Sequence, residues 1–339
     1  MTSLVEQPPV KATRTESLLE LQGLVVDYGP TRAVNGVDLE IGVGEIVGLA
    51  GESGSGKSTI ANAAMQILPS SARIGEGSIR FRGEELVGKS REELRRFRWR
   101  NVSMVFQSAM NALNPVTSVG DQFVDMMQAH ERISKRDAIA EAGDLLELMS
   151  IDRRRVSAYP HQLSGGMRQR VIIAMALALK PELVILDEPT TALDVVVQRE
   201  ILQQVQDLQR ERQFAVLFIT HDLSLLLETA HRIAIMYAGE IVETAHTARL
   251  AQNPLHPYTQ GLLASFPPLR GPKKRLTGIG GSPPDLRNPP AGCRFNPRCP
   301  ECRPERLGLY TKQTTLRPKL REVEQDHLVA CHLVAGEDA

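Results

Sequence analysis

The segment GESGSGKST, at residues 51–59, limits what this 339-residue chain can fold into more than any other stretch. It matches the pattern G-x-x-x-x-G-K-[ST], with Gly51, Gly56, Lys57 and Ser58 at the fixed positions. It follows the apolar run EIVGLA and opens the helical run TIANAAMQIL, which is the strand–loop–helix context of a phosphate-binding loop. The sequence therefore predicts a nucleotide phosphate site in an α/β fold.

The residue types in this loop suit the chemistry of a polyphosphate. Glycines let backbone N–H groups turn towards phosphate oxygens, and the start of the following helix adds a favourable dipole. We expect Lys57 to neutralise the β- and γ-phosphates and Ser58 to bind Mg²⁺ through its hydroxyl. The residues that we expect to contact ATP in this loop are Gly51, Ser53, Gly54, Ser55, Gly56, Lys57, Ser58 and Thr59.

A second acidic element supports the phosphate site. The run LVILDEP, at residues 183–189, has the composition of a buried strand that ends in two carboxylates. We expect Asp187 to lie beside the Mg²⁺ ion and Glu188 to deprotonate the attacking water as the catalytic base. An Asp-Glu pair alone is more often a solvated strand end, and it gains weight only beside the phosphate loop.

The order of apolar runs along the chain predicts its domains. Short β-rich runs alternate with helical patterns from Leu18 to about Tyr237, which favours an α/β core around a largely parallel sheet. Ten of the 21 prolines fall between residues 266 and 305, which indicates a linker and a loop-rich module. We expect a flexible tail at 1–16, a nucleotide-binding domain at 17–252 with a helical subdomain at about 108–180, and a C-terminal extension at 253–339.

Charge and apolar content exclude several classes of protein. Lys and Arg together number 40, as do Asp and Glu, so no basic field favours nucleic acid as a partner. The longest apolar run, VIIAMALAL at residues 171–179, has half the length that a membrane-spanning helix needs and is typical of a buried helix. The first residues lack the apolar stretch of a secretory signal, so we expect a cytoplasmic location.

The segment LSGGMRQR, at residues 163–170, narrows the class of nucleotide-binding protein. Here the sequence resembles the ATP-binding subunits of ABC transporters, whose signature has the form LSGGQ, although Met167 stands where glutamine is common. The resemblance covers about residues 18–250 and implies an ABC-type P-loop ATPase core with a RecA-like sheet. It implies that Tyr28 stacks on adenine, that Gln107 binds Mg²⁺ with Ser58 and Asp187, that Asp194 forms the D-loop, and that His221 contacts the γ-phosphate as a catalytic residue.

The same resemblance implies partners. In this family Ser164, Gly165 and Gly166 form a helix N-terminus that binds the phosphate of ATP held by the opposite subunit. It implies a second ATPase subunit, similar or identical to this one, two transmembrane permease subunits and an extracytoplasmic solute-binding protein. The chain would then act as a peripheral protein on the cytoplasmic face of the membrane.

A further segment, NPLHPYTQGLL at residues 253–263, resembles the C-terminal extension of oligopeptide, dipeptide and nickel permease ATPases. The resemblance implies an ATPase subunit of an importer for di- and oligopeptides. Import of nickel, glutathione or another small solute stays open, as does a soluble ABC ATPase in DNA repair, chromosome or ribosome work. Because Pro257 suits the first turn of a helix, we favour a packing role at a helix start for His256 and Tyr258 over a catalytic one.

All four cysteines lie near the C-terminus, at Cys293, Cys299, Cys302 and Cys331. In a reducing compartment such a cluster is more often a metal site than a pair of disulfides, and four thiolates suit Zn²⁺ or an iron–sulfur cluster. The runs GCRFNPRCP and HLVACH resemble the C-terminal module of peptide permease ATPases, some of which carry a 4Fe–4S cluster. We therefore expect a 4Fe–4S cluster, with Zn²⁺ and unligated thiols as alternatives, and with His332 as a possible competing ligand.

Overall fold

A computed structural model of the chain describes residues 16–107, 112–190, 193–265 and 278–334. The predicted N-terminal tail lies outside these ranges apart from Glu16, and so do the first residues of the predicted helical subdomain and most of the proline-rich linker. The described strands are β1 (Ser17–Tyr28), β2 (Thr31–Gly42), β3 (Ile46–Ala50), β4 (Ala72–Phe81), β5 (Glu84–Glu85), β6 (Val102–Val105), β7 (Leu183–Asp187), β8 (Ala215–Thr220), β9 (Arg232–Tyr237), β10 (Glu240–His246), β11 (Arg321–Glu324) and β12 (His327–Val329). The described helices are α1 (Lys57–Ala64), α2 (Arg91–Phe97), α3 (Val119–His130), α4 (Lys135–Leu148), α5 (Gly165–Leu177), α6 (Val195–Arg212), α7 (Leu223–Thr229), α8 (Thr247–Gln252), α9 (Pro257–Ala264) and α10 (Leu307–Thr315).

The larger sheet has a parallel centre. Its order is β11-β12-β10-β9-β3-β8-β7-β6, and β3 lies between β8 and β9, parallel to both. β7 and β6 continue the parallel pairing on the far side of β8. Every residue of β3, β6, β7 and β8 is buried, which agrees with their continuous apolar runs. The predicted parallel sheet is therefore confirmed, and it comprises β3, β6, β7, β8 and β9.

A second sheet packs beside the first and was not predicted. Its order is β2-β1-β4-β5, and all its pairs are antiparallel. The register of β1 shifts at several points against both β2 and β4, so its residues do not alternate cleanly between buried and exposed. This irregularity removes the period-two signal by which a half-buried strand is recognised in a sequence.

Helices fill most of the region between β6 and β7. α3, α4 and α5 pack on one another, and the run VIIAMALAL lies in and just after α5, where Val171 and Ile173 are buried as predicted. Ser164 precedes α5 and its hydroxyl accepts a hydrogen bond from the backbone N–H of Met167, which fixes where the helix begins. No helix within the described ranges is long and apolar enough to cross a membrane.

The C-terminal extension joins the larger sheet rather than standing apart from it. β12 pairs with β10, β11 pairs with β12, and neither strand was predicted. His327 on β12 contacts Glu243 on β10 through Nε2 and Oε1 at 2.8 Å, and both side chains are fully buried. A buried hydrogen bond of this kind ties the end of the chain to the core.

The start of α9 contains the residues of the HPYT segment. The imidazole Nδ1 of His256 accepts a hydrogen bond of 3.0 Å from the backbone N–H of Tyr258, and Pro257 occupies the first helical position. Both His256 and Tyr258 are buried, so the expected packing role at a helix start agrees with the geometry. Burial lowers the pKa of His256 to about 3.

This shift predicts a pH-dependent stability. The unfolded chain binds a proton at His256 below about pH 6.5, whereas the folded chain excludes it down to about pH 3, so protonation favours unfolding in this window. The wild type should lose up to about 1.4 kcal/mol of unfolding free energy per pH unit relative to His256→Asn, which keeps the helix-capping acceptor without the titration. Urea unfolding at pH 7.5 and at pH 5 measures this difference.

His246→Asn is the matched control, because this exposed histidine makes no capping hydrogen bond at the start of α8. It should show the same pH dependence as the wild type. Parallel stability curves for the wild type and His256→Asn would contradict the prediction.

Candidate functional site

The phosphate loop follows β3 and leads into α1, as the sequence predicted. Gly56, which precedes α1, has φ 105°, and a Cβ atom there would lie 2.6 Å from the carbonyl oxygen of Ala33 on β2. The ammonium of Lys57 donates to the carbonyl oxygens of Gly51 at 2.8 Å and Glu52 at 2.9 Å. The lysine is buried, and desolvation lowers its pKa against the opposing effect of the nearby carboxylates. The loop is thus curled around a buried cation, which suits an anionic ligand.

The outer side of the loop is held by backbone contacts. The carbonyl oxygen of Ser55 accepts a hydrogen bond of 2.9 Å from the N–H of Gly239, in the turn between β9 and β10. A Cβ atom on Gly51 would lie 2.1 Å from the carbonyl oxygen of Met236, so only glycine fits there. Ser53 and Gly54, between the held residues, are exposed.

Ser58 and Asp187 meet beside the loop. The Ser58 hydroxyl donates to Oδ1 of Asp187 at 3.1 Å, and Asp187 is only 3% exposed at the end of β7. Burial raises the pKa of Asp187, and the hydrogen bond from Ser58 partly opposes that rise. A buried carboxylate and a hydroxyl are oxygen ligands of the kind that Mg²⁺ prefers, and a cation would reverse the cost of burying the charge. The pair therefore fits the predicted Mg²⁺ site.

Glu188, Gln107 and His221 form a second group at the same sheet edge. The Gln107 amide donates to Oε2 of Glu188 at 2.9 Å, and Nδ1 of His221 lies 3.1 Å from Oε1. Glu188 has φ 46°, an uncommon backbone conformation for a residue with a side chain and one that clusters at functional sites. The structure thus joins three predicted residues, although Gln107 is bonded to Glu188 rather than to the Ser58–Asp187 pair.

Tyr28 lies at the end of β1, on the hairpin that leads to Thr31 and β2. Ala33 on the same hairpin contacts Gly56 of the phosphate loop, so Tyr28 is on the side of the antiparallel sheet that approaches the nucleotide site. The last predicted loop residue, Thr59, is half-buried in the first turn of α1. Stacking of Tyr28 on adenine stays a prediction.

The signature and the D-loop meet at two helix N-termini. Ser164, Gly165 and Gly166 begin α5, whereas Asp194 caps α6 by accepting from the N–H groups of Val196 and Val197. A Cβ atom on Gly166 would lie 2.8 Å from Cγ1 of Val197, so the two helix starts are in contact. Val195 and Val196 are exposed here, which leaves an apolar surface beside the signature. Binding of a partner's nucleotide by these residues stays a prediction.

Sequence reasoning missed two residues that reach the phosphate loop from the C-terminal extension. The hydroxyl of Tyr258 accepts a hydrogen bond of 3.0 Å from the N–H of Glu52. Arg298 pairs with the Glu52 carboxylate through both terminal nitrogens, at 2.7 Å and 2.9 Å. The segments NPLHPYTQGLL and GCRFNPRCP contain these residues, yet partners 206 and 246 positions away give no local sequence signal.

The four cysteines do not form a recognisable metal site. In the ranges that the structure covers, no group of three or more His, Cys, Asp and Glu side chains is arranged to hold a metal ion. Burial raises the pKa of the Cys293 thiol to about 12 and that of Cys331 to about 11, and neighbouring cysteines contribute to both shifts in the same direction. The arrangement therefore gives no support to the predicted 4Fe–4S cluster.

Two family profiles match the chain. Residues 34–191 match the family described as ABC transporter, and this range includes the phosphate loop, the signature and Glu188. Residues 242–305 match the family described as oligopeptide/dipeptide transporter, C-terminal region, and this range includes Tyr258 and Arg298.

Individual proteins with related descriptions are similar to most of the chain. The oligopeptide transport ATP-binding protein OppD of Bacillus subtilis is 45% identical over 83% of this chain and 81% of its own length. The oligopeptide transport ATP-binding protein AppD of the same organism is 42% identical over 95% of this chain and 98% of its own length. The solved ATP-binding cassette MJ0796, in a dimeric post-hydrolysis state bound to ADP and Pi, is 28% identical with a TM-score of 0.61 over 68% of this chain and 99% of that one.

The geometry of the loop predicts the effect of removing its cation. Lys57→Ala should weaken ATP binding by about one to two orders of magnitude, because the ammonium is a buried, charge-assisted donor at the phosphate site. Titration of the full chain with a fluorescent ATP analogue measures the dissociation constant. Lys135→Ala is the control, since this exposed lysine pairs with Asp121 on the helical region and should bind ATP as the wild type does. Equal affinity of Lys57→Ala and the control would reject the site.

Proposed function

Since the chain belongs to the ATP-binding proteins of oligopeptide and dipeptide ABC transporters, we propose that it hydrolyses ATP to power the uptake of short peptides across a membrane. The observation that carries the proposal is the position of Glu188 beside a phosphate loop, with Gln107 and His221 on its two carboxylate oxygens. The C-terminal match to the oligopeptide/dipeptide family favours peptides over nickel, glutathione and other small solutes.

In the proposed mechanism the chain binds ATP and removes a proton from the attacking water with an oriented carboxylate. Lys57 leaves the Gly51 and Glu52 carbonyl oxygens for the β- and γ-phosphates, and the N-terminus of α1 adds its dipole. Ser58 and Asp187 would hold Mg²⁺, which supplies charge neutralisation on the polyphosphate. Glu188 accepts the proton of the attacking water, while Gln107 and His221 fix the direction of its carboxylate.

The proposed assembly follows from the exposed signature. Ser164 is exposed at the start of α5, where the helix N-terminus can bind a phosphate brought by a second ATPase subunit. We place two transmembrane permease subunits against this pair, with an extracytoplasmic solute-binding protein that delivers the peptide, and the chain itself on the cytoplasmic face. The second ATPase can be a copy of this chain or a similar one.

A substitution of the proposed base tests the function. Glu188→Gln keeps the size of the side chain and leaves Lys57 in place, so ATP should still bind, while hydrolysis should fall by about 10²-fold or more. In proteoliposomes that contain the permease subunits and the binding protein, di- and oligopeptides should stimulate the wild-type ATPase, and Glu188→Gln should abolish both hydrolysis and uptake. The ATP-bound variant should also stay dimeric in size-exclusion chromatography.

Glu228→Gln is the matched control, because this carboxylate forms a surface pair with Arg199 and lies in the α7 helix. It should keep wild-type ATPase and uptake. Near-normal hydrolysis by Glu188→Gln would reject Glu188 as the base. Hydrolysis that responds to none of the peptides would reject peptide import and retain the ATPase.

The 4Fe–4S cluster on Cys293, Cys299, Cys302 and Cys331 stays a prediction, with Zn²⁺ and unligated thiols as alternatives. Anaerobic purification followed by visible absorption and by iron, sulfide and zinc analysis decides between the alternatives. About four irons and four sulfides per chain would establish the cluster. One zinc in a colourless protein would replace it by Zn²⁺, and neither metal would leave free thiols.

A further inference from the structure

Three chemical groups of Glu52, the second residue of the phosphate loop, are each held by a different partner. Its N–H donates to the hydroxyl of Tyr258 at 3.0 Å, and its carbonyl oxygen accepts from Lys57 at 2.9 Å. Its carboxylate accepts from both terminal nitrogens of Arg298. The position and charge of this loop residue therefore depend on two side chains from the C-terminal extension.

Arg298 is itself fixed in one orientation. Its side chain is 5% exposed, and its Nε donates to the carbonyl oxygen of Gly280 at 2.8 Å. The guanidinium lies 5.7 Å from the ring centre of Tyr237, whose hydroxyl accepts a further bond of 3.3 Å. The hydrogen bonds to Glu52 raise the pKa of Arg298 above its ordinary value, so the guanidinium stays charged throughout the working pH range.

Tyr258 is equally constrained. It is fully buried, and its ring lies 4.6 Å from the ring of Tyr237 and 5.4 Å from that of Phe295, measured between centres. Burial raises the pKa of Tyr258, so its hydroxyl stays neutral and accepts the bond from Glu52 as a phenol. A rigid acceptor at this point fixes where the phosphate loop leaves β3.

These contacts affect ATP binding through the charge of Glu52. A free Glu52 carboxylate at the start of the loop would repel a polyphosphate, and a fixed arginine cancels that charge without entering the phosphate site itself. Pro283 and Pro284 line a small cavity with Glu52, Ser53, Gly54 and Ser55, so the same extension also lies along the loop. Arg298 directly precedes Cys299, so the cysteine-bearing segment and the phosphate loop are connected through one side chain.

We propose that Tyr258 and Arg298 are positioning residues for ATP: they hold and neutralise Glu52, and they couple the C-terminal extension to nucleotide affinity. The proposal rests on the proposed ATPase function of the same site. Neither residue touches the reacting atoms, so their loss should weaken ATP binding more than it slows the chemical step.

The sharpest test is a compensating pair of variants in the full chain. Arg298→Met leaves an unpaired carboxylate beside the loop and should raise the dissociation constant and the KM for ATP about tenfold, with kcat little changed. Adding Glu52→Gln removes that charge and should restore most of the affinity, and Arg298→Lys should recover part of it. If the role of Arg298 were purely structural, Glu52→Gln would restore no affinity. The double variant would then bind ATP no better than Arg298→Met.

Tyr258→Phe keeps the buried ring and deletes only the acceptor. It tests the positioning role independently if Arg298→Met does not fold. It should raise KM for ATP a few-fold at nearly constant kcat. Arg287→Met and Tyr310→Phe are matched controls from the same extension, since Arg287 pairs with Asp285 at the surface and Tyr310 lies on α10. Both should behave as the wild type.

The ATPase function and the positioning role can be rejected separately. Wild-type protein that neither binds nor hydrolyses ATP would reject the proposed function. Wild-type protein that does both, together with unchanged KM in Arg298→Met and Tyr258→Phe, would reject the positioning role alone. Failure of Glu52→Gln to restore affinity to Arg298→Met would also overturn it.

Discussion

Binding a polyphosphate with backbone N–H groups requires a loop that keeps its shape without a core of its own. The loop at residues 51–59 meets this requirement because neighbouring segments hold it from outside. Gly56 packs on β2, Ser55 is bonded to the turn after β9, and Glu52 is held by the C-terminal extension. The buried ammonium of Lys57 keeps the loop curled from within. Segments far apart in the chain thus converge on nine residues.

The parallel sheet then determines which side chains lie beside the loop. β3, β7 and β8 run in the same direction, so their carboxyl ends lie at one edge of the sheet. The loop leaves β3 at this edge, Asp187 ends β7 and is followed by Glu188, and His221 follows β8. Strand register, rather than any local feature, therefore brings Asp187, Glu188 and His221 to the same sheet edge as the phosphate loop.

The dependence of the site on strand register explains how much of the fold and of the site could be predicted from the sequence. The core strands are short, apolar and buried on both faces, and the phosphate loop has a fixed spacing, so local patterns predicted both. The antiparallel sheet escaped prediction because bulges in β1 destroy its alternation, and β12 because its three residues are too few to show a period. The contacts of Tyr258 and Arg298 with Glu52 depend on folding over more than 200 positions, and no local pattern records such a meeting.

The same contacts change how the C-terminal extension is understood. A short, proline-rich segment with a small core of its own can be held together by a bound metal. In this structure the ion pairs of Arg298 with Glu52 and of Arg294 with Glu240 attach it to the core, and so does the hydrogen bond between His327 and Glu243. The side chains of Arg294 and Arg298 are almost wholly buried, so removing the carboxylate partner of either would leave a buried cation without its ion pair. The extension is therefore anchored by charge whether or not its thiols bind a metal, and one of its anchors lies on the phosphate loop.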